Sequence, residues 1–296
     1  MKCVKTGDGQ NDKVLIVRYQ KKLYAVGNFC SHFGVPLEGG QLFDDKVLCP
    51  AHAAGFSVIT GESETGPGRD GLPTFPIVQR DGQNYVQVPK EDKLPGNVVM
   101  PMAKRDPDNK QHFVIIGGGP AGLNAAETLR QSGFTGQITV LTREDSLPYD
   151  RTLISKALPA GDPAKWLLRP ADWLAEHDID YRFKSKGNVF SVNTEKKKVI
   201  TVGGDHIQYD KLLIATGANL FFPPIQGLGK MQRDAPKKVH FLRTADDMNK
   251  CKAAVADAKR VVMVGAGFIG SEAAAALIGK YKDMDLHMIC PTDVPF

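Results

Sequence analysis

The stretch His112-Phe113-Val114-Ile115-Ile116-Gly117-Gly118-Gly119-Pro120-Ala121-Gly122 decides the fold. Its first half reads as a buried strand and its second as G-x-G-x-x-G. Leu123–Gln131 follows with helical composition, Ala and Leu falling on one face. Strand, glycine loop and helix in that order turn a weak pattern into a dinucleotide-binding signature. Gly117 permits the tight turn, Gly119 lets the backbone approach a pyrophosphate, and Gly122 allows close helix–strand packing. Gly118, Pro120 and Ala121 complete the turn and open the helix, whose free N–H groups face the phosphates. A second strand, Gln137–Thr142, ends in Arg143-Glu144. Glu144 lies 22 residues beyond Gly122, near the spacing of the acid that grips a ribose.

Downstream, Lys259–Val264 reads as another buried strand, followed by Gly265-Ala266-Gly267-Phe268-Ile269-Gly270 and a helix over Ala273–Leu277. This second glycine loop begins 148 residues after the first. Gly265, Gly267, Phe268, Ile269 and Gly270 are its expected cofactor contacts. The next strand, Asp285–Ile289, runs toward position 292, where the spacing of the first motif calls for an acid. Thr292 stands there, with Asp293 one residue late, so NADH and NADPH remain equally open.

Upstream, residues 1–90 read as short strands with turn punctuation: Lys13–Tyr19 and Lys22–Val26 around Gln20-Lys21, then Lys46–Leu48, then Phe75–Val78 and Tyr85–Val88 around Asp81-Gly82. Two loops in this region carry Cys30-Ser31-His32 and Cys49-Pro50-Ala51-His52, which is C-x-H, sixteen residues, C-x-x-H. Two thiolates and two imidazoles so arranged can hold two irons, the Cys pair on one and the His pair on the other, as in a Rieske [2Fe–2S] centre. Each loop supplies one Cys and one His, so both must close over the cluster. The rival reading is a four-coordinate zinc site, which more often uses paired Cys-x-x-Cys units.

Residues 23–61, from Leu23-Tyr24-Ala25-Val26 to Thr60-Gly61, resemble a Rieske-type ferredoxin domain. High-potential members of that group carry an extra Cys in each loop, joined as a disulfide. No Cys stands at those places here, which resembles the lower-potential, ferredoxin-like branch. Ala53 departs from the Gly usual after the second His. Leu147-Pro148-Tyr149-Asp150-Arg151 with Ser155-Lys156 resembles the L-P-Y-x-R-x-x-x-S-K segment of FAD-dependent ferredoxin reductases and apoptosis-inducing-factor-like flavoproteins. That resemblance implies FAD contacts at Arg151 and Lys156, the Lys close to the flavin ring, where a positive charge favours the reduced anion. Trp166–His177 reads as a helix, Ile179–Phe183 as a strand, and Lys186–Val192 with Lys198–Val202 as a hairpin. Tyr209–Gly217 resembles the second FAD motif, a buried strand ending in Ala215-Thr216-Gly217. Phe241–Asp247 resembles the family's L-R-T-x-x-D segment, whose Arg, here Arg243, reaches FAD. Glu272 sits where the family places a Glu facing the flavin Lys, so an ion pair with Lys156 is expected.

The resemblance implies a small all-β Rieske domain followed by an α/β fold with two dinucleotide-binding, Rossmann-like units of the pyridine nucleotide-disulfide oxidoreductase type. The expected divisions are 1–90, a polar linker 91–110, the FAD-binding part 111–245 and the first part of an NAD(P)H-binding domain 246–296, with the remainder of the fold beyond it. The implied activity is electron transfer from NAD(P)H through FAD to the [2Fe–2S] centre and on to an acceptor the sequence does not name. Two other readings stand beside it: the electron-supply component of an oxygenase, and a redox-sensing or death-signalling protein whose partners change with bound NADH. A disulfide reductase of the same superfamily needs a redox Cys pair on the flavin side, and no Cys lies between Cys49 and Cys251.

The totals narrow the class further. Over 296 residues, 42% hydrophobic and 24% charged content is ordinary for a globular chain, and the net charge of +5 is spread along it. The longest basic run, Lys196-Lys197-Lys198, fits a solvated hairpin turn better than a nucleic-acid patch. No apolar run reaches the length of a membrane span, and no secretory signal opens the chain. Cys3, Cys251 and Cys290 show no pairing pattern, which suits a cytoplasmic or mitochondrial setting.

Overall fold

The computed structural model describes residues 1–6, 12–89, 94–230 and 238–291. The chain divides into two units, Met1–Pro101 and Met102–Phe296.

The first unit is all β. Strands β1 (Lys2–Lys5), β2 (Lys13–Tyr19), β3 (Lys22–Gly27) and β8 (Thr74–Phe75) form one antiparallel sheet. A second sheet holds β4 (Gln41–Phe43), β5 (Lys46–Leu48), β6 (Gly55–Ser57) and β7 (Ser63–Thr65). A hairpin of β9 (Ile77–Arg80) and β10 (Gln83–Val86) completes the unit. Gln20-Lys21 and Asp81-Gly82 close their hairpins with positive φ at both residues, the backbone that matches strand twist. The expected strand Phe75–Val78 is broken at Pro76, which has no N–H for a ladder. Phe75 pairs with β3, whereas Ile77 starts the final hairpin. Its partner spans Gln83–Val86, closer to the turn than the Tyr85–Val88 expected. Leu15, Val17, Val26, Leu37, Val47, Phe56 and Leu72 form the core, and Cys30 and Cys49 belong to it.

The second unit is built on a parallel sheet in the order β13-β12-β11-β17, made from β11 (His112–Ile116), β12 (Gln137–Leu141), β13 (Ile179–Arg182) and β17 (Lys211–Ile214). Strand alternation splits β11 between two layers. Ile115 faces the helix side, packing with Leu123 and Ala126 of α1 (Pro120–Gln131) and Leu174 of α3 (Ala171–Glu176). Val114 and Ile116 face Val199 and Ile207, from the antiparallel sheet of β14 (Val189–Asn193), β15 (Lys198–Thr201) and β16 (His206–Gln208). A third core joins α2 (Leu153–Lys156), α5 (Ala245–Val255) and α6 (Phe268–Lys280), through Ile154, Met248, Ala273 and Leu277. Val261 and Met263 of β18 (Arg260–Val264) and Leu286 of β19 (Asp285–Ile289) pack against it.

Several expectations are corrected. The helix expected over Trp166–His177 is confined to Ala171–Glu176, because Pro170 occupies its N-cap and Leu167 is extended in a bridge to Tyr149. The strand expected from Lys186 starts at Val189, after a helical turn, α4 (Lys184–Gly187). The strands expected to be buried at 209–217 and 259–264 form as Lys211–Ile214 and Arg260–Val264 and are only partly covered, on one face. Ile214 is 65% exposed, and Val262 and Val264 are 54% and 62% exposed. Alternation sends Val261 and Met263 inward and their neighbours out.

One buried cation fixes the helix layer. Arg130, fully buried, donates to the carbonyls of Phe134, Gly136, His177 and Asp178, tying the turn after α1 to the turn after α3. Four main-chain acceptors replace the water a guanidinium would otherwise need.

Candidate cofactor sites

The two cysteine loops share one backbone frame. The Cys30 N–H donates to the Val35 carbonyl, and the Gly34 N–H donates back to the Cys30 carbonyl. Likewise, the Cys49 N–H donates to Ala54 and the Ala53 N–H to Cys49. The residue before each loop's end, Gly34 or Ala53, takes positive φ, +67° and +57°. Within this frame His32 follows its Cys by two residues and His52 by three. The two imidazoles nevertheless meet, with ring centroids 5.0 Å apart and planes at 76°. Phe33, 47% exposed, lies against His32 with ring centroids 3.8 Å apart and planes tilted by 35°, and meets His52 edge-on.

Both sulfurs are buried. Burial pushes the Cys30 thiol above its ordinary pKa, and the neighbouring Cys49 adds to this, while the His32 N–H, 3.5 Å from the Cys30 sulfur, opposes it. Two adjacent thiols and two adjacent imidazoles fit a [2Fe–2S] cluster, which needs two protein ligands on each iron. A third loop supports the first. A Cβ on Gly68 would lie 2.7 Å from the Phe56 ring and 3.1 Å from the Ser31 hydroxyl. The crowding of Gly, Pro and Asp between Gly61 and Pro73 marks that loop in the sequence, though not its place against Ser31.

The first glycine loop is closed by contacts that exclude side chains. Gly117, at φ +122°, donates its N–H to Leu141, and a Cβ there would strike the Ala215 carbonyl at 2.0 Å. A Cβ on Gly122 would sit 1.9 Å from the Gly117 carbonyl. Gly119 faces open space, the room a pyrophosphate needs, and caps α1 with Pro120 behind it. Ala215 donates its N–H to Ile116, so the Ala215-Thr216-Gly217 segment lies beside the loop, with Thr216 exposed and Gly217 at φ +67°.

A side-chain network walls the adjoining cleft, which is lined by Gly118, Gly119, Thr142, Glu144, Ser146, Leu147, Tyr149 and Arg151. Arg151 contacts Glu144 at 2.6 Å and the Arg243 carbonyl at 2.7 Å. Tyr149 donates to the other Glu144 oxygen at 2.7 Å, and accepts from Arg151 and from the Ala245 N–H. Burial, then the Glu144 hydrogen bond, pushes the Tyr149 pKa upward. Arg143 turns outward to Asn219.

The second glycine loop repeats the first. Gly265 has φ +105° and donates to Ile289, as Gly117 does to Leu141. Gly270 approaches the Gly265 carbonyl as Gly122 approaches Gly117. Gly267 caps α6, and Phe268 and Ile269 are exposed on its first turn. Thr292 and Asp293 lie outside the described residues. Glu272, on α6, meets α2: its carboxylate is 3.8 Å from Lys156 Nζ and accepts from the Ser155 hydroxyl at 2.6 Å. The expected Lys156–Glu272 proximity is thus present. Ser155 and Tyr149 are partners sequence reasoning passed over, although both stand within the L-P-Y-x-R-x-x-x-S-K segment.

Residues 111–290 match the pyridine nucleotide-disulphide oxidoreductase family. The chain belongs to that family. Residues 2–76 match the Rieske [2Fe-2S] domain, so this family member has an iron–sulfur module at the N-terminal side of its dinucleotide fold. It is 34% identical to apoptosis-inducing factor 3 of Mus musculus, over 90% of this chain and 44% of that protein. It is 37% identical to the ferredoxin–NAD(+) reductase component of 3-phenylpropionate/cinnamic acid dioxygenase from Photorhabdus laumondii, over 56% of this chain and 40% of that one. Among solved structures, a ferredoxin reductase from Rhodopseudomonas palustris superposes with a TM-score of 0.54 and 31% identity, covering 60% of this chain and 42% of that chain. The chain therefore spans under half the length of these relatives. Family and domain together imply a [2Fe–2S] cluster, FAD and NAD(P)H. Among the described residues no helix is long and apolar enough to cross a membrane.

Proposed function

We propose that this chain belongs to an NAD(P)H-dependent oxidoreductase that passes electrons from the nicotinamide through FAD to its Rieske-type [2Fe–2S] centre and then to a separate acceptor. The observation that carries the reading is the presence, in one chain, of a buried Cys30/Cys49 pair with its paired imidazoles and of two glycine loops built to one pattern. When bound, the three groups supply hydride acceptance and one-electron transfer. The chain's own residues hold and tune them. Cys30, Cys49, His32 and His52 ligate. The Gly117–Gly122 turn and the α1 N-terminus receive the flavin dinucleotide, and the Gly265–Gly270 turn the nicotinamide dinucleotide. Lys156, paired with Glu272, which Ser155 in turn holds by a hydrogen bond, would place positive charge where a reduced flavin needs it.

Anaerobic addition of NADH and NADPH in parallel, followed in the visible and by EPR, tests this. The flavin band should bleach, and a rhombic [2Fe–2S] signal should grow with at least one of the two. Flavin bleaching with no EPR signal would remove the cluster from the electron path. The resemblance to a dioxygenase reductase component favours an oxygenase system as the setting, and reduction of a cognate oxygenase in the same assay distinguishes it from other acceptors.

A further inference from the structure

Lys156 stands at the end of α2, a helix of four residues that closes with the Ala157 N–H donating to the Leu153 carbonyl. One turn of helix is not stable alone, so the place of Lys156 depends on what grips the turn from outside. Ile154 and Leu158 anchor it in the third core. The segment Ala157–Gly161 then folds back on itself, with Ala160 and Gly161 both donating N–H groups to the Ala157 carbonyl. Two lysines from other helices converge on this short turn. Lys252 of α5, half-buried, donates to the Gly161 carbonyl at 2.5 Å. Lys280, the last residue of α6, donates to the Pro159 carbonyl at 2.9 Å. The two bonds span 91 and 121 positions of sequence. Gly161 is itself wedged in place, since a Cβ there would lie 2.2 Å from the Trp166 ring. Helix α6 also carries Glu272, which meets both Ser155 and Lys156.

We propose that Lys252 and Lys280 are positioning residues for Lys156. By fixing the turn after α2 to α5 and α6, they hold Lys156 in register with Glu272. Main-chain carbonyls at the end of a helix lack partners within it, and lysine side chains from neighbouring helices supply them here. The two lysines act through α2 and not through their own charge. The inference rests on the reading of Lys156 as the cation that favours the reduced flavin.

The test measures the flavin midpoint potential of the FAD-loaded, full-length protein by equilibration with reference dyes. Lys156→Ala should shift the reduction equilibrium about tenfold toward the oxidised form. Lys252→Met should shift it about threefold and Lys280→Met about twofold, the worth of one modest hydrogen bond in each case. Lys252→Arg, which can still donate to Gly161, should restore the wild-type potential. A lysine acting through its own charge would shift the equilibrium whether or not Lys156 is present. A positioning residue would not, so in the Lys156→Ala background Lys252→Met and Lys280→Met should add nothing. Full additivity there, or wild-type potentials in both single variants, overturns the proposal. If Lys252→Met does not fold, Lys280→Met, at an exposed site, decides by the same two comparisons. An unmoved potential in Lys156→Ala would instead overturn the reading of Lys156 itself, and this inference with it.

Discussion

The cluster loops and the flavin-side cleft hold their functional groups in opposite ways. Around Cys30 and Cys49 the positioning is main chain to main chain: two loops with the same pair of hydrogen bonds, rooted in the core of a small all-β unit. Around Glu144, Arg151 and Tyr149, and again around Glu272, Ser155 and Lys156, it is side chain to side chain. A backbone frame tolerates exchange of the side chains it presents, so long as each φ is accessible. A side-chain network does not, since each member is another's partner. The first arrangement would suit cluster ligands whose spacing must not vary with redox state; the second would let neighbouring charges tune a bound ring.

The largest expected departure from this contrast is Cys49→Ala. The loop frame should survive, because Cys49 contributes only its N–H and C=O to it, while the cluster is lost. Iron and sulfide analysis should fall to background with the far-ultraviolet circular dichroism unchanged. A folded variant retaining its full iron content would disprove the ligand assignment. Next is Lys156→Ala, on the side-chain-held site. Stopped-flow reduction of the flavin should slow about tenfold, with FAD content within about twofold of wild type. An unchanged rate would take Lys156 out of the tuning role. The smallest effect belongs to the two loops themselves. Ala53 is exposed and holds the left-handed conformation that Gly34 holds in the other loop. Ala53→Gly should relieve about 1 kcal/mol of backbone strain, read as a higher urea midpoint at constant m. Gly34→Ala should lose a similar amount, and a lower midpoint for Ala53→Gly would break the equivalence of the loops.

Much of this was legible in the sequence because it is written in local patterns. The glycine loops, the Cys/His pairs, β2, β5 and β19 depend on spacing over a few residues, and the Lys156–Glu272 approach followed from family resemblance. What escaped depended on contacts between distant segments or on which face of a strand is covered. The Ser155–Glu272 bond spans 117 positions, and the Arg151–Arg243 bond 92. The apolar run Val261–Val264 has the composition of a fully buried strand, yet only alternate residues find a partner in α6 and its neighbours. The helix expected across Arg169-Pro170 failed for a local reason, the proline at its start.

Arg130 has a consequence of its own. Had the turns after α1 and α3 been joined by an arginine–carboxylate pair, acid would loosen them as the carboxylate took up a proton. Here the acceptors are main-chain carbonyls, which do not titrate. Burial lowers the guanidinium pKa but leaves the group charged in any buffer the protein meets. The hydrogen-bonded acceptors of this joint of the helix layer are therefore indifferent to acid, which reaches the joint instead through the nearby Asp178 carboxylate, a charge of opposite sign beside the guanidinium.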